Sequence, residues 1–497
     1  MKTRHTLLFV LLAVLVIAVV PAMAAPCESL STLKLANTTI TSAQSIPAGP
    51  AAGGGGRGGA AAPLPAYCRV QATIAPTSDS VIKVEVWMPA AGWNGKFQGV
   101  GNGAWLGSIT TNALATAIQR GYAAASTDTG HEGSSASFAL GHPEKLIDYG
   151  YRAVHEMTEK GKAITAAFYD RNPQYSYFVG CSAGGKQAIK EAQMFPADYD
   201  GVVAGSPGVN WSGRALLSVW VGQAQAENNL PREKWAVLNT AALGACDASD
   251  GVKDGVIENP LQCKFDPQVV QCKAGDAADC LTAAQVETAR KIYGPVIHNR
   301  TKQPIVAGFS PGSELNWATM GGAQPFGPGL DLFKYVVFGD PNWDFKTLNW
   351  DTHVDQTIKA SAAMDALDPN LKPYFDRGGR IISYHGWADP QISPGSTSNY
   401  YDSVIKTMGG ASKVQESFRL FMVPGMNHCG GGLGTDQFDM LTALENWVEK
   451  KQAPASIPAS RVANGQTVRT RPLCPYPQAA TYKGSGSTDD AANFACK

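Results

Sequence analysis

Neither sign of charge prevails in this chain: 41 Lys and Arg stand against 41 Asp and Glu in 497 residues. With no excess of positive charge, neither nucleic acid nor an anionic membrane surface is expected as a partner. Charged residues of any kind are scarce, at 16%. Together with abundant Gly, Pro, Trp and Tyr, that scarcity points away from a helical bundle and toward a loop-rich extracellular enzyme. Zinc patterns are also missing, because there is no His-x-x-x-His and no paired Cys-x-x-Cys. His131, His142 and His155 are scattered over the first half without ligand spacing and read as core or loop histidines. No internal repeat is present.

Long apolar runs are absent but for one, Leu7 to Val20, about fourteen residues against the roughly 20 of a spanning helix. Lys2 and Arg4 precede it and Ala22-Met23-Ala24 follows as an A-x-A cleavage site. Residues 1–24 are therefore expected to be a cleaved signal peptide. The mature chain, about 470 residues, is expected in the periplasm or outside the cell without a membrane anchor.

Export permits disulfides, and the ten cysteines are even in number. Sequence alone does not fix their pairing, but local spacings suggest some. Cys474 with Cys496 would close the C-terminal tail, and Cys246 with Cys263 and Cys272 with Cys280 would close two short loops. Cys27 and Cys68 bracket the Pro/Gly/Ala-rich stretch 47–65, which includes the glycine-rich arm 53–59 and cannot build a core by itself. Cys181 and Cys429 are left over.

Ile82, Val84, Val86 and Met88 alternate with Lys83, Glu85 and Trp87, a period-2 strand with one buried face. Further strands are expected at Phe97–Val100, Tyr122–Ser126, Tyr175–Val179 and Val202–Ala204, with helices at Tyr149–Phe168 and Lys186–Phe195. This alternation implies a mostly parallel sheet covered on both faces. From about 209 to 375 the alternation stops and Cys, Trp, Asp, Gly and Pro dominate. Strands resume at Arg380–Tyr384 and Phe418–Val423, and Asp436–Lys451 closes as an amphipathic helix. We read one α/β catalytic domain, residues 25–208 and 376–497, interrupted after its sixth or so strand by an inserted lid, residues 209–375.

Gly180-Cys181-Ser182-Ala183-Gly184 fits the G-x-S-x-G nucleophile elbow, and it stands between an expected strand and an expected helix, as that motif requires. A serine hydroxyl needs a base to take its proton, and the base needs an orienting carboxylate. In α/β-hydrolases the chain order is Ser, Asp or Glu, His. Asp389 follows the strand resumed at Arg380, and His428 follows the next, so both stand where the order demands. His385 competes as base, but its place at a strand end suits a structural role. Cys181 directly precedes the serine and Cys429 directly follows the histidine. A bridge between them, bringing two Cα atoms to about 5.5 Å, would pin the nucleophile and base loops together. The rival reading, a free thiol nucleophile at Cys181, sits poorly with an exported chain. Oxyanion donors are expected from the N–H of Ala183 and from the loop Gly101-Asn102-Gly103, with Gly103 preferred to Gly101.

Within the inserted block, Asp247, Asp250 and Asp254 alternate with glycines in a loop that does not have EF-hand spacing. Hard-cation chemistry suits it, with the Val252 and Val256 carbonyls completing an oxygen set for a structural Ca²⁺.

From about Cys68 to Cys474 the chain resembles the tannase and feruloyl esterase family of secreted α/β-hydrolases, which includes mono(2-hydroxyethyl) terephthalate hydrolases. The stretches Gly121–His131, Phe178–Gly185, Ala192–Trp211, His385–Pro394 and Gly425–Gly430 carry the likeness. The resemblance implies the Cys-Ser and His-Cys pairs joined by a disulfide, the aspartate at 389 and the calcium loop at Asp247–Val256. It also implies hydrolysis of phenolic acid esters, small aromatic molecules, with no organic cofactor. Hydroxycinnamate or gallate esters lead, and a synthetic aromatic monoester follows on the same chemistry. An inactive binding protein of the same fold is disfavoured by the complete triad. The aromatics between Phe333 and Trp350 serve either as a stacking surface for a phenolic ring or as core.

Overall fold

The computed structural model describes residues 25–50 and 63–497. The expected signal peptide and the glycine-rich arm 53–59 lie outside the described residues. Nine strands form the main sheet: β1 (Thr38–Ile46), β2 (Tyr67–Ile74), β3 (Ile82–Pro89), β4 (Lys96–Val100), β5 (Ala123–Thr127), β6 (Tyr175–Cys181), β7 (Gly201–Gly205), β8 (Arg380–Gly386) and β9 (Phe418–Val423). Their spatial order is β1-β2-β3-β5-β4-β6-β7-β8-β9. From β5 to β9 every pairing is parallel, and β1, β2, β3 and β5 pair antiparallel. Parallel neighbours need crossovers, and these are helical. They include α1 (Thr111–Gln119), α2 (Ala153–Tyr169), α3 (Ala183–Met194) and α5 (Pro394–Met408), while α6 (Met440–Lys450) follows β9. This is the α/β-hydrolase arrangement.

The periodicities explain the helices. In α2 the buried set Val154, Met157, Thr158, Gly161, Ile164, Thr165 and Phe168 recurs at helical spacing and faces the sheet, with Gly161 letting Phe97 approach. The helix expected from Asp436 begins only at Met440, because the Asp439 side chain caps it by accepting from Thr442 N–H. Strand β3 departs from a one-face pattern: Lys83 is its only exposed residue. Glu85 is buried there because its carboxylate accepts from Arg69, Gln71 and the Trp87 indole. Strands β1 and β2 were not read from the sequence, since Thr, Ser and Gln dominate β1 and its burial is only partial. With them counted, the inserted block follows the seventh strand rather than the sixth.

That block opens with α4 (Trp211–Glu227), most of which is buried. Leu217, Val221, Trp235, Leu238, Val286, Ile292 and Trp317 make an apolar cluster separate from the two that sandwich the sheet. Five disulfides join Cys27 to Cys68, Cys181 to Cys429, Cys246 to Cys263, Cys272 to Cys280 and Cys474 to Cys496. No helix among the described residues is long and apolar enough to cross a membrane.

Candidate active site

Strand β6 ends at Cys181 and α3 begins at Ala183, so Ser182 alone makes the turn, at φ 65° and ψ −121°. A positive φ at a non-glycine residue is strained by about 1–3 kcal/mol and must be held by its surroundings. Here Ser182 N–H donates to Gly205 O (2.9 Å), Gly208 N–H donates to Ser182 O (3.2 Å), and Gly184 N–H donates to Asn102 O (2.8 Å). The glycines make the crossing possible. A Cβ on Gly180 would lie 2.4 Å from the Gly184 carbonyl carbon, and one on Gly101 would lie 2.5 Å from Gly184 Cα.

The loop after β4 is locked from within. Gly101 N–H donates to Val179 O, Asn102 N–H donates to Gln187 Oε1, and the Asn102 amide donates to Ser108 O and Thr127 O. Two of the three N–H groups in Gly101-Asn102-Gly103 are thereby engaged. Gln187, buried on α3, had no signal in the sequence beyond its helical position.

Asp389 and His428 come together from the loops after β8 and β9. His428 Nδ1 lies 2.6 Å from Asp389 Oδ2, and the aspartate is fully buried. Its Oδ1 accepts from the N–H groups of Gln391 and Ile392. Burial pushes the Asp389 carboxyl up, but the charge of His428 and the hydrogen bonds from His385 and His428 outweigh it. The net result holds the carboxyl well below the usual carboxylate range. His385 has both ring nitrogens committed, Nε2 to Asp389 Oδ2 (2.9 Å) and Nδ1 to the Thr397 hydroxyl (2.7 Å). Neither is free to serve a nucleophile, so His385 braces the aspartate. The Cys181–Cys429 bridge sets the residue before the serine and the residue after the histidine 6.0 Å apart at Cα. Ser206, which the sequence did not single out, accepts from Cys429 N–H at 3.4 Å.

An aromatic chamber borders the elbow. Trp105 stands edge-on to Trp211 (5.1 Å) and tilted on Tyr149 (4.7 Å), in one cluster with Ala183. Phe333, Phe338 and Trp343 stack on one another in that same cluster. Trp350 meets Trp220 edge-on at 5.0 Å. His131 is buried beneath, its Nε2 at 2.9 Å from Trp105 O and its ring stacked on Phe138. His142 pairs with Asp79, and His155 pairs with Asp198 and stacks on Phe195.

In the acidic loop each aspartate bonds its own backbone. Asp247 accepts from the N–H groups of Asp254 and Gly255, Asp250 from Val252, and Asp254 from Val256. Arg469 and Arg471 also reach Asp254 Oδ2. Burial and the neighbouring Asp254 raise the Asp250 carboxyl, and burial with both aspartates nearby pushes Glu258 up to about 8. Negative charge is thus crowded here. Among the described residues, however, the acidic or histidine ligand atoms that converge within 4.8 Å are those of His155, Glu191 and Asp198, not those of this loop. Gly425, at the base of the His428 loop, packs on Val256, so the acidic loop buttresses the base loop.

Residues 68–497 match the family model described as tannase and feruloyl esterase. An uncharacterized esterase of Xanthomonas campestris pv. campestris is 38% identical, covering 95% of this chain and 91% of its own. The mono(2-hydroxyethyl) terephthalate hydrolase of Piscinibacter sakaiensis is 35% identical, covering 88% and 85%. The crystal structure of feruloyl esterase B from Aspergillus oryzae superposes with a TM-score of 0.88 at 30% identity, over 95% of this chain and 99% of that one. The chain belongs to the tannase and feruloyl esterase family.

Proposed function

We propose that this protein is a secreted serine carboxylic ester hydrolase that cleaves esters of aromatic acids through an acyl-serine intermediate. The observation that carries the reading is the buried Asp389–His428 pair, tied by the Cys181–Cys429 bridge to a strained Ser182. In this mechanism the ionised Asp389 holds the proton of His428 on Nδ1, leaving Nε2 to take the Ser182 proton as Oγ attacks the ester carbonyl carbon. The tetrahedral oxyanion is met by the N–H groups of Ala183 and Gly103. Ala183 opens α3, where first-turn N–H groups have no helical acceptor. Gly103 is favoured because the N–H groups of Gly101 and Asn102 are already engaged. Collapse expels the alcohol, which takes the proton from His428. Water, deprotonated by the same histidine, then releases the acid.

The aromatic chamber and the relatives named for ferulate and terephthalate esters support an aromatic acyl group. Residues 209–375 act as the lid over it. Five disulfides and the leader expected at residues 1–24 support an oxidising destination, periplasmic or extracellular. A structural calcium belongs to the same reading, held by Asp247, Asp250, Asp254 and the carbonyls of Val252 and Val256. The unbalanced acidity around Asp250 and Glu258 supports it, and its role would be to fix the loop beneath the base.

Two measurements test this. A serine-directed aromatic organophosphonate should leave one adduct, mapped by mass spectrometry to the peptide containing Ser182; an adduct elsewhere would end the assignment. Chelation with EDTA should lower the melting temperature by several degrees, since saturation at a hundredfold excess over Kd is worth about 2.7 kcal/mol. Turnover at low temperature should change much less. An unmoved melting curve would remove calcium from the reading.

A further inference from the structure

Arg214 lies in the first turn of α4, three residues after Trp211, and is 4% exposed. Its guanidinium has aromatic neighbours: its Cζ is 4.6 Å from the Trp211 ring centroid and 5.3 Å from that of Phe326. Nη2 is buried and has no hydrogen-bond partner, and among the described residues the side chain forms no ion pair. A buried cation without a counter-charge is costly, because desolvation is not repaid by any acceptor. Its effect shows in the guanidinium itself, which burial pushes down to about 10 despite the influence of Tyr149 and Asp389. Asp389 is not the missing partner, since all four of its hydrogen bonds come from His385, His428, Gln391 and Ile392.

Its position relates this free charge to the reaction. Gly208, whose N–H holds the Ser182 carbonyl, packs on Trp211. Trp211 in turn walls the aromatic chamber with Trp105 and Tyr149, beside Ala183. Phe326 closes the far side of the guanidinium, and its segment is tied back by Phe326 N–H to Ser218 Oγ and by the Trp105 indole to Pro328 O. A ring acylated on Ser182 and lying along these walls would carry its distal substituent toward Arg214. The other buried cation of the chamber, Lys186, is already used, donating to Gly150 O at 3.0 Å.

We propose that Arg214 is a specificity-determining residue whose guanidinium receives a carboxylate carried by the aromatic acyl group, so that monoesters of aromatic dicarboxylic acids are preferred. This rests on the serine esterase reading above. The planar fork of guanidinium donors matches a carboxylate, which brings both the acceptors and the charge that the site lacks. A neutral phenol or methoxy group brings an acceptor and no charge.

The test compares monomethyl terephthalate with dimethyl terephthalate, which share ring and leaving group and differ by one carboxylate. The ratio of their kcat/KM values should fall at least tenfold from wild type to Arg214→Met. In the wild type, terephthalate should inhibit at least tenfold more tightly than benzoate, and that advantage should vanish in the variant. An unchanged ratio, or equal inhibition of the wild type by the two acids, overturns the assignment. Should Arg214→Met not fold, the inhibition comparison on the wild type decides alone. Hydrolysis of the neutral diester and labelling of Ser182 report on the esterase reading separately, so the two can fail independently.

Discussion

Asp389→Asn should lower kcat by about four orders of magnitude, the loss that the wrong histidine tautomer brings in a serine triad. The geometry shows why an amide fails here. All four groups touching the carboxylate are donors: the N–H groups of Gln391 and Ile392 at Oδ1, and His428 and His385 at Oδ2. An asparagine must turn its NH₂ toward one of these pairs. Facing the two backbone N–H groups, it would strip both of their acceptor, at about 1–3 kcal/mol each. Facing the two imidazoles, it meets groups that can change tautomer. The amide therefore faces the histidines, and His428 accepts at Nδ1 and carries its proton on Nε2, where the Ser182 proton has to go. The fold should survive, because the backbone contacts persist. Steady-state kcat with an aromatic methyl ester, alongside a melting curve, makes the check; a fall of less than tenfold would remove Asp389 from the triad. The pH dependence has a definite sign as well. The folded-state carboxyl is depressed, so its stabilising contribution is complete above the unfolded value near 3.9 and is lost as pH falls below it.

The parts of this molecule that sequence made legible are those with local chemistry. The elbow reads directly because strand, glycine crossing and helix are contiguous, and the strand at Phe418–Val423 is bounded by turn residues. His428 and Asp389 could be placed because each follows a strand that resumes after a long interruption. What escaped depends on distant partners. Glu85 looks like a solvent residue until Arg69 and Gln71, from the neighbouring strand, are set beside it. Gln187 matters only because the loop carrying Asn102 folds onto it. Arg214 could have been any surface arginine of a helix, and only the packing of Phe326 and Trp211 around it makes it a buried, unpaired charge. The acidic loop shows the opposite limit. Its composition suggests a cation, while its carboxylates bond their own backbone, so that Asp254 serves Val256 and two arginines at once.

Opening the Cys181–Cys429 bridge should cut turnover about a hundredfold while the protein stays folded. The two cysteines are far apart in the sheet. Cys181 ends β6 and Cys429 follows β9, with β7 and β8 between them. At about 4.8 Å per strand, that is roughly 14 Å of sheet, which the His428 loop must cross to reach the serine. No strand hydrogen bonds span that gap. The loop is held instead by Asp389 at one side, by a long contact from Cys429 N–H to Ser206 Oγ, and by the bridge. Without the bridge the imidazole keeps its acid but loses its fixed distance to the nucleophile, and a displacement of about 1 Å is worth about 10² in rate. Stability should fall too. The bridge spans 248 residues, and in the chain-entropy picture such a closure is worth about 5 kcal/mol at most. Four other bridges and the sheet remain, so the double variant Cys181→Ala/Cys429→Ala should melt earlier and still show native near-ultraviolet circular dichroism at 25 °C. Turnover measured at that temperature separates the two effects: activity equal to wild type in the folded variant would show that the sheet alone sets the distance between Ser182 and His428.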